Sequence, residues 1–293
     1  MPERLGRHGL RAVRRSLVCA GTGHLGTHAE PGAGLSSQPR QPVRSTCPWD
    51  ASTTSRRLHL LVAHRPTTWP AVFAVDTSTW AHCDAETSPE RGFYHSASKH
   101  SAGQPIVADR PYQWITQLDW AFDSWTTPVD AARIPPTADD TTFTIEQVTH
   151  LAQHLPDDGP VPMFVFDTGY DPIAIGAALT DTAAQVLARI RGDRIFYTDP
   201  NHRGAAAIGR PRRHGTRSTP SDPENAPAPT AELSVQDKHH GKVHVNSWTS
   251  LHPKLGCRGR WTNHDHPPIV AGTVIHVDVE HLPSPNPSPL KTL

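Results

Sequence analysis

The stretch Ala71-Val72-Phe73-Ala74-Val75-Asp76 decides how this chain is read. It is a short apolar run rich in strand formers, and it ends on a carboxylate. A second run of the same design, Val161-Pro162-Met163-Phe164-Val165-Phe166, delivers Asp167. Between the two, Pro105 to Leu118 carries Ile106, Tyr112, Trp114 and Ile115, the β-branched and aromatic residues that suit a strand. Thr144-Ile145-Glu146-Gln147 then has the form of a capping box, with Phe143 and Val148 placed as a hydrophobic staple. Ile145, Val148, Leu151 and Leu155 share one helical face, so the spacing predicts a helix from Thr144 to about Leu155. Past the second aspartate, Asp171-Pro172 reads as N-cap and first residue of a helix running to about Leu179. In Gln185 to Arg191, Val186, Ala188 and Ile190 alternate with Leu187, Arg189 and Arg191, a further strand. Strand, strand region, helix, strand, helix, strand is the order of an α/β sheet with parallel members.

Outward from this centre the chain loosens. The 293 residues include 30 Pro and 20 Gly at a mean hydropathy of -0.50, so much of the length cannot join one packed core. Residues 1–68 mix Arg, Gly, Pro, Ser and His without period and are expected to lack a fixed fold. Residues 69–200 hold the core, and 201–282 a basic loop followed by strand candidates at Lys242 to Ser250 and Gly272 to Leu282. Residues 283–293 form a Pro-rich tail.

Lys plus Arg and Asp plus Glu both number 28, so no global field pulls the chain toward nucleic acid or membrane, and any DNA contact must come from a local basic patch. The four cysteines, Cys19, Cys47, Cys83 and Cys257, are far apart without a CxxC pair, which argues against a zinc knuckle or disulfide framework and suits a reducing cytoplasm. The basic stretch Arg4 to Arg15 is followed by too few apolar residues for a signal peptide, and no run is long enough to span a bilayer.

Any one aspartate at a strand end is best read as a turn or cap residue. Two of them at the carboxyl ends of apolar strands, where open α/β sheets place their ligands, suggest more. Neighbouring carboxylates repel unless a cation lies between them, and a pure oxygen set favours Mg²⁺. Two such ions about 3.5–4 Å apart would activate an attacking hydroxyl and stabilise the leaving oxygen of a phosphodiester.

The segments Phe73-Ala74-Val75-Asp76-Thr77-Ser78-Thr79-Trp80, Ser88 to Tyr94, His100 to Val107, Phe164 to Pro172, Leu187 to Arg191 and Gly209 to Gly215 resemble, in this order, a group of bacterial insertion-sequence transposases of the DDE superfamily. The resemblance covers about residues 69 to 282. It implies an RNase H-like mixed sheet with flanking helices and a β-rich insertion near the C-terminus, which the two late strand candidates match. It also implies Asp76 and Asp167 as catalytic, metal-binding carboxylates with Mg²⁺ or Mn²⁺. DNA at element ends and target would be the partner, with a homodimer in a synaptic complex as a further expectation, in the cytoplasm near the bacterial nucleoid. Two departures stand out: residues 1–68 lack the family's helical DNA-binding region, and the third acidic ligand is expected beyond Leu293, so this polypeptide alone is expected to be catalytically incomplete.

Arg189, Arg191 and Arg194, with Arg210, Arg212, Arg213 and Arg217 in the loop, are candidate phosphate contacts. An ordinary solvated charge run is the competing reading. His239, His240, His244, His264 and His266 lack cysteine partners at zinc spacing, and the tryptophans read as packing. Two rival functions remain in view. Asp76-Thr77-Ser78 and Asp167-Thr168-Gly169 resemble the paired signatures of aspartic proteases, although the first lacks the Gly. A non-catalytic DNA-binding remnant needs only the basic loop and a folded sheet.

Overall fold

A computed structural model describes residues 13–20, 68–81, 92–95, 106–119, 126–156, 159–200, 212–222 and 226–281. The strands are β1 (Val13–Ala20), β2 (Val72–Ala81), β3 (Gly92–His95), β4 (Ile106–Leu118), β5 (Thr126–Arg133), β6 (Met163–Phe166), β7 (Gln185–Ile190), β8 (Phe196–Tyr197), β9 (Arg217–Ser218), β10 (Ala231–Asp237), β11 (Gly241–Leu251) and β12 (Gly272–Val279). Two helices, α1 (Asp140–Ala152) and α2 (Pro172–Ala178), join β5 to β6 and β6 to β7.

At the centre is a mixed five-strand sheet in the order β5-β4-β2-β6-β7. The apolar strands β2, β6 and β7 run parallel, while β4 is antiparallel to β2 and β5 to β4. A parallel pair needs a crossover, and the helices supply it. Their apolar sides cover one sheet face: Val148 and Leu151 of α1 and Ile175 of α2 pack with Phe73, Val75, Ile115, Phe164, Phe166, Val186 and Ala188. Phe73 and Phe164 stack at 5.2 Å between adjacent strands. This α/β arrangement is consistent with a nuclease-like fold.

Helix α1 starts a turn earlier than its sequence predicts. Asp139 is the cap, its carboxylate accepting from the Thr142 N–H at 2.8 Å. Thr144 and Gln147 are not a capping box but buried helix-interior residues, tied to the equally buried Gln113 of β4. The Gln113 side-chain amide donates to Gln147 Oε1 at 2.7 Å, and Thr144 Oγ1 donates to Gln113 Oε1 at 2.9 Å. In α2 the expectation holds: Asp171 caps the Ile173 and Ala174 N–H groups and Pro172 opens the helix.

The remaining strands widen the sheet. β3 and β5 share the edge of β4 that β2 leaves open. Beyond β7 come β1, β12, β11 and β10, all antiparallel neighbours. β11 and β12 fall where the late strand candidates were placed, and β10 is an added hairpin strand exposed along most of its length. Val13–Ala20 lies inside the N-terminal stretch read as lacking a fixed fold, and its backbone pairs on both sides; the rest of residues 1–67 and the tail from 282 on lie outside the described residues.

Candidate functional site

Strand register places the site. Val75 pairs with Phe166, and Phe166 with Ala188. The next residue along each chain, Asp76, Asp167 and Arg189, therefore stands level with the other two, and on the far side of β2 Asp76 faces Trp114 of β4. Adjacent strands lie about 4.8 Å apart, so the backbones that carry the two aspartates are immediate neighbours across the sheet. Val75, Phe166 and Ala188 are buried against the helices; Asp76, Asp167 and Arg189 take the opposite parity and are exposed.

Local backbone geometry holds each carboxylate. Asp76 Oδ1 accepts from the Thr77 N–H at 2.8 Å, and Asp167 Oδ1 accepts from the Gly169 N–H at 2.7 Å, an Asx-type turn closing the end of β6. A Cβ on residue 169 would stand 3.0 Å from that same carboxylate oxygen, so glycine lets the turn close. Tyr170 then joins the two strands: its hydroxyl is 3.1 Å from Thr77 Oγ1 and its ring packs on Phe166 at 5.2 Å. Burial pushes the Tyr170 phenol up to about 12, against the Thr77 hydrogen bond and reinforced by the negative charges of Asp76, Asp167 and Asp140. The phenol thus stays a neutral hydrogen-bonding group beside two anions.

Beside Asp167 a cleft of about 390 Å³ is lined by Thr168, Tyr170, Arg189, Arg191, Asp193 and Arg194. Arg194 also lies 4.0 Å from Asp171. Three of the seven predicted arginines thus line one cleft with Thr168 and Tyr170, next in sequence to Asp167. The loop arginines are not among those lining residues: Arg212 and Arg217 are exposed elsewhere, the Arg213 guanidinium donates to the Pro267 carbonyl, and Arg210 lies outside the described residues. The sequence alone assigns no site role to two neighbours of the aspartates. Tyr170 sits inside the motif around Asp167 but shows its position only once β2 and β6 pair. Trp114 pairs across from Asp76 in the β2–β4 register, and its indole N–H donates to Ser78 Oγ at 2.8 Å.

Asp76 and Asp167 are the residues that could hold a divalent cation, their carboxylates being hard oxygen donors. Among the described residues no group of three or more His, Cys, Asp or Glu is arranged to hold a metal. Of the late histidines, two serve the β10–β11 hairpin, His240 Nδ1 meeting Asp237 at 2.9 Å and His244 Nδ1 meeting Ser234 at 2.8 Å.

The mixed sheet carries Asp167 just past the end of β6 and Asp76 within β2, which continues to Ala81 rather than ending at the aspartate as its apolar run suggests; this arrangement is consistent with a nuclease-like fold. The family model described as DDE superfamily endonuclease matches residues 29–250, and the chain belongs to that superfamily. No curated protein and no solved structure matches it. Membership carries a function of the nuclease or transposase type with DNA as substrate, in a superfamily that generally uses divalent metals. Among the described residues no helix is long and apolar enough to cross a membrane.

Proposed function

We propose that this chain is an insertion-sequence transposase of RNase H-like fold, with Asp76 and Asp167 as the metal-holding carboxylates of a DNA strand-cleavage and transfer site. The observation that carries this reading is the level placement of Asp76, Asp167 and Arg189 on three adjacent parallel strands. A bound Mg²⁺ or Mn²⁺ would polarise the scissile phosphate and lower the pKa of an attacking water or 3′-hydroxyl. The chain's own residues do the rest. Asp76 and Asp167, fixed by the Thr77 and Gly169 amides, offer anionic oxygens at one spot. Arg189, Arg191 and Arg194 fix the flanking phosphates, Arg being suited to bidentate contact with phosphate oxygens. Tyr170 holds the Asp167 turn against the Asp76 strand.

Among the described residues no group of three or more His, Cys, Asp or Glu is arranged to hold a metal, whereas the resembled family employs three carboxylates. Losing one electrostatic contact to the transition state costs on the order of 10²–10³ in rate, and losing a metal ligand more, so slow cleavage is the expectation for this polypeptide alone. Incubation of purified protein with Mn²⁺ or Mg²⁺ and element-end duplexes tests the reading. Slow nicking that disappears in Asp76→Ala and in Asp167→Ala supports it. Nicking that survives both substitutions refutes it, and duplex binding without any nicking favours the non-catalytic remnant.

A further inference from the structure

Downstream of β7 the chain builds a second polar cluster that the carboxylate site does not use. His252 is fully buried, and its Nε2 lies 3.0 Å from Nδ1 of the half-buried His214. On the opposite side of its ring, Nδ1 has no hydrogen-bond partner but lies 3.7 Å from the exposed carboxylate of Asp199. The Tyr197 ring packs against both imidazoles, at 5.3 Å from His214 and 6.5 Å from His252.

The backbone around this line is firmly held. Tyr197 and His252 exchange both backbone hydrogen bonds, at 2.8 and 3.0 Å. The loop carrying His214 is fastened to Thr198 by the Gly215 N–H at 2.8 Å and the Thr216 N–H at 2.9 Å. A Cβ on Gly215 would collide with the Asp199 carbonyl, so glycine permits this approach. The segment bearing Asp199 follows the end of β7 where Arg189 and Arg191 stand, which puts the cluster downstream of the arginines lining the cleft.

We propose that His214 is a proton-dependent contact for a DNA phosphate, with His252 and Asp199 as the relay that sets its state. The proposal rests on the reading of the chain as a DNA-cleaving enzyme. The Asp199 carboxylate favours the His252 proton on Nδ1, which leaves Nε2 as an acceptor. His214 must then donate through Nδ1, and its outer Nε2 carries a lone pair when the ring is neutral. In that state it repels a phosphate oxygen; protonated, it becomes a charged donor. The charged groups around it are Arg213 in its own loop, Lys254 in the segment after β11, and Asp199 behind His252. Partial burial, then Lys254 and Arg213, holds His214 below the ordinary histidine range, and burial does the same for His252 with Asp199 opposing. An arriving phosphate offsets those cations and draws the proton on, so DNA binding takes up a proton.

Fluorescence anisotropy of a labelled duplex, in EDTA to remove any metal contribution, tests this between about pH 8 and about pH 5.5. Wild-type affinity is expected to rise on acidification, with about tenfold of that rise absent in His214→Gln, the value of one charge-assisted contact. Asp199→Asn, at an exposed position, is expected to move the midpoint of the rise to lower pH. An identical pH slope in wild type and His214→Gln overturns the proposal and leaves the DNA reading standing. An unmoved midpoint in Asp199→Asn overturns the relay. Absence of duplex binding at every pH overturns both the proposal and the DNA reading.

Discussion

Replacing Asp167 by Asn is expected to stabilise the metal-free protein and to abolish its stabilisation by metal. The amide keeps an oxygen for the Gly169 N–H, so the turn after β6 survives while one charge is lost. Strand spacing sets about 5 Å between the two backbone positions, taken as the charge separation, and both side chains are exposed, so the water-like dielectric applies. Two unit charges there repel by about 332/(80 × 5), or roughly 0.8 kcal/mol, and less once salt screens them. For a domain of this size that is a rise of about 2–3 °C in Tm. With a divalent ion at a hundred times its Kd the wild type gains about 2.7 kcal/mol, whereas the variant, with one ligand charge gone, gains far less. The order of stability therefore reverses between EDTA and Mn²⁺. Calorimetric melts of both proteins across a Mn²⁺ titration measure the crossing. Equal metal-induced shifts in the two proteins, or a variant less stable than wild type in EDTA, would refute the placement of the two carboxylates at one cation site.

Three further outcomes are expected. Tyr170→Phe should cost about 0.5–1.5 kcal/mol through loss of the Thr77 hydrogen bond and should weaken Mn²⁺ affinity, whereas unchanged metal affinity in isothermal titration would deny Tyr170 a positioning role. Gln113→Leu strands Gln147 in the buried interface of α1 with β4 and should destabilise by about 1–3 kcal/mol, with Gln113→Leu/Gln147→Leu recovering much of the loss in urea unfolding. His252 is held neutral by burial, so its folded pKa lies below its unfolded one; the unfolded chain binds the extra proton, and stability should fall as pH drops through about 6.5. Comparison of melts with His252→Gln tests that sign, since the variant should lose part of the acid sensitivity.

The sequence by itself determined the parts whose signal is local. Apolar runs ending at Asp76 and Asp167, the Asp171-Pro172 helix start and the alternation of Gln185 to Arg191 each reflect a period or cap confined to a few residues, and the α/β order followed from them. Other elements escaped because their reasons are distant. β5 contains Pro128 and Asp130, poor strand residues that are tolerated because among the described residues it pairs on one side only, with a bulge in its ladder to β4. The Thr144–Gln147 pattern imitates a capping box, yet Gln113 from another strand claims both side chains and leaves the cap to Asp139. Only the tertiary structure decided that Asp76, Asp167 and Arg189 stand level, because register is a property of paired strands and a slip of one residue would turn every side chain to the other face. The same holds for Tyr170 and Trp114, and for His214, His252 and Asp199, which three separate segments bring together after the chain has crossed the sheet.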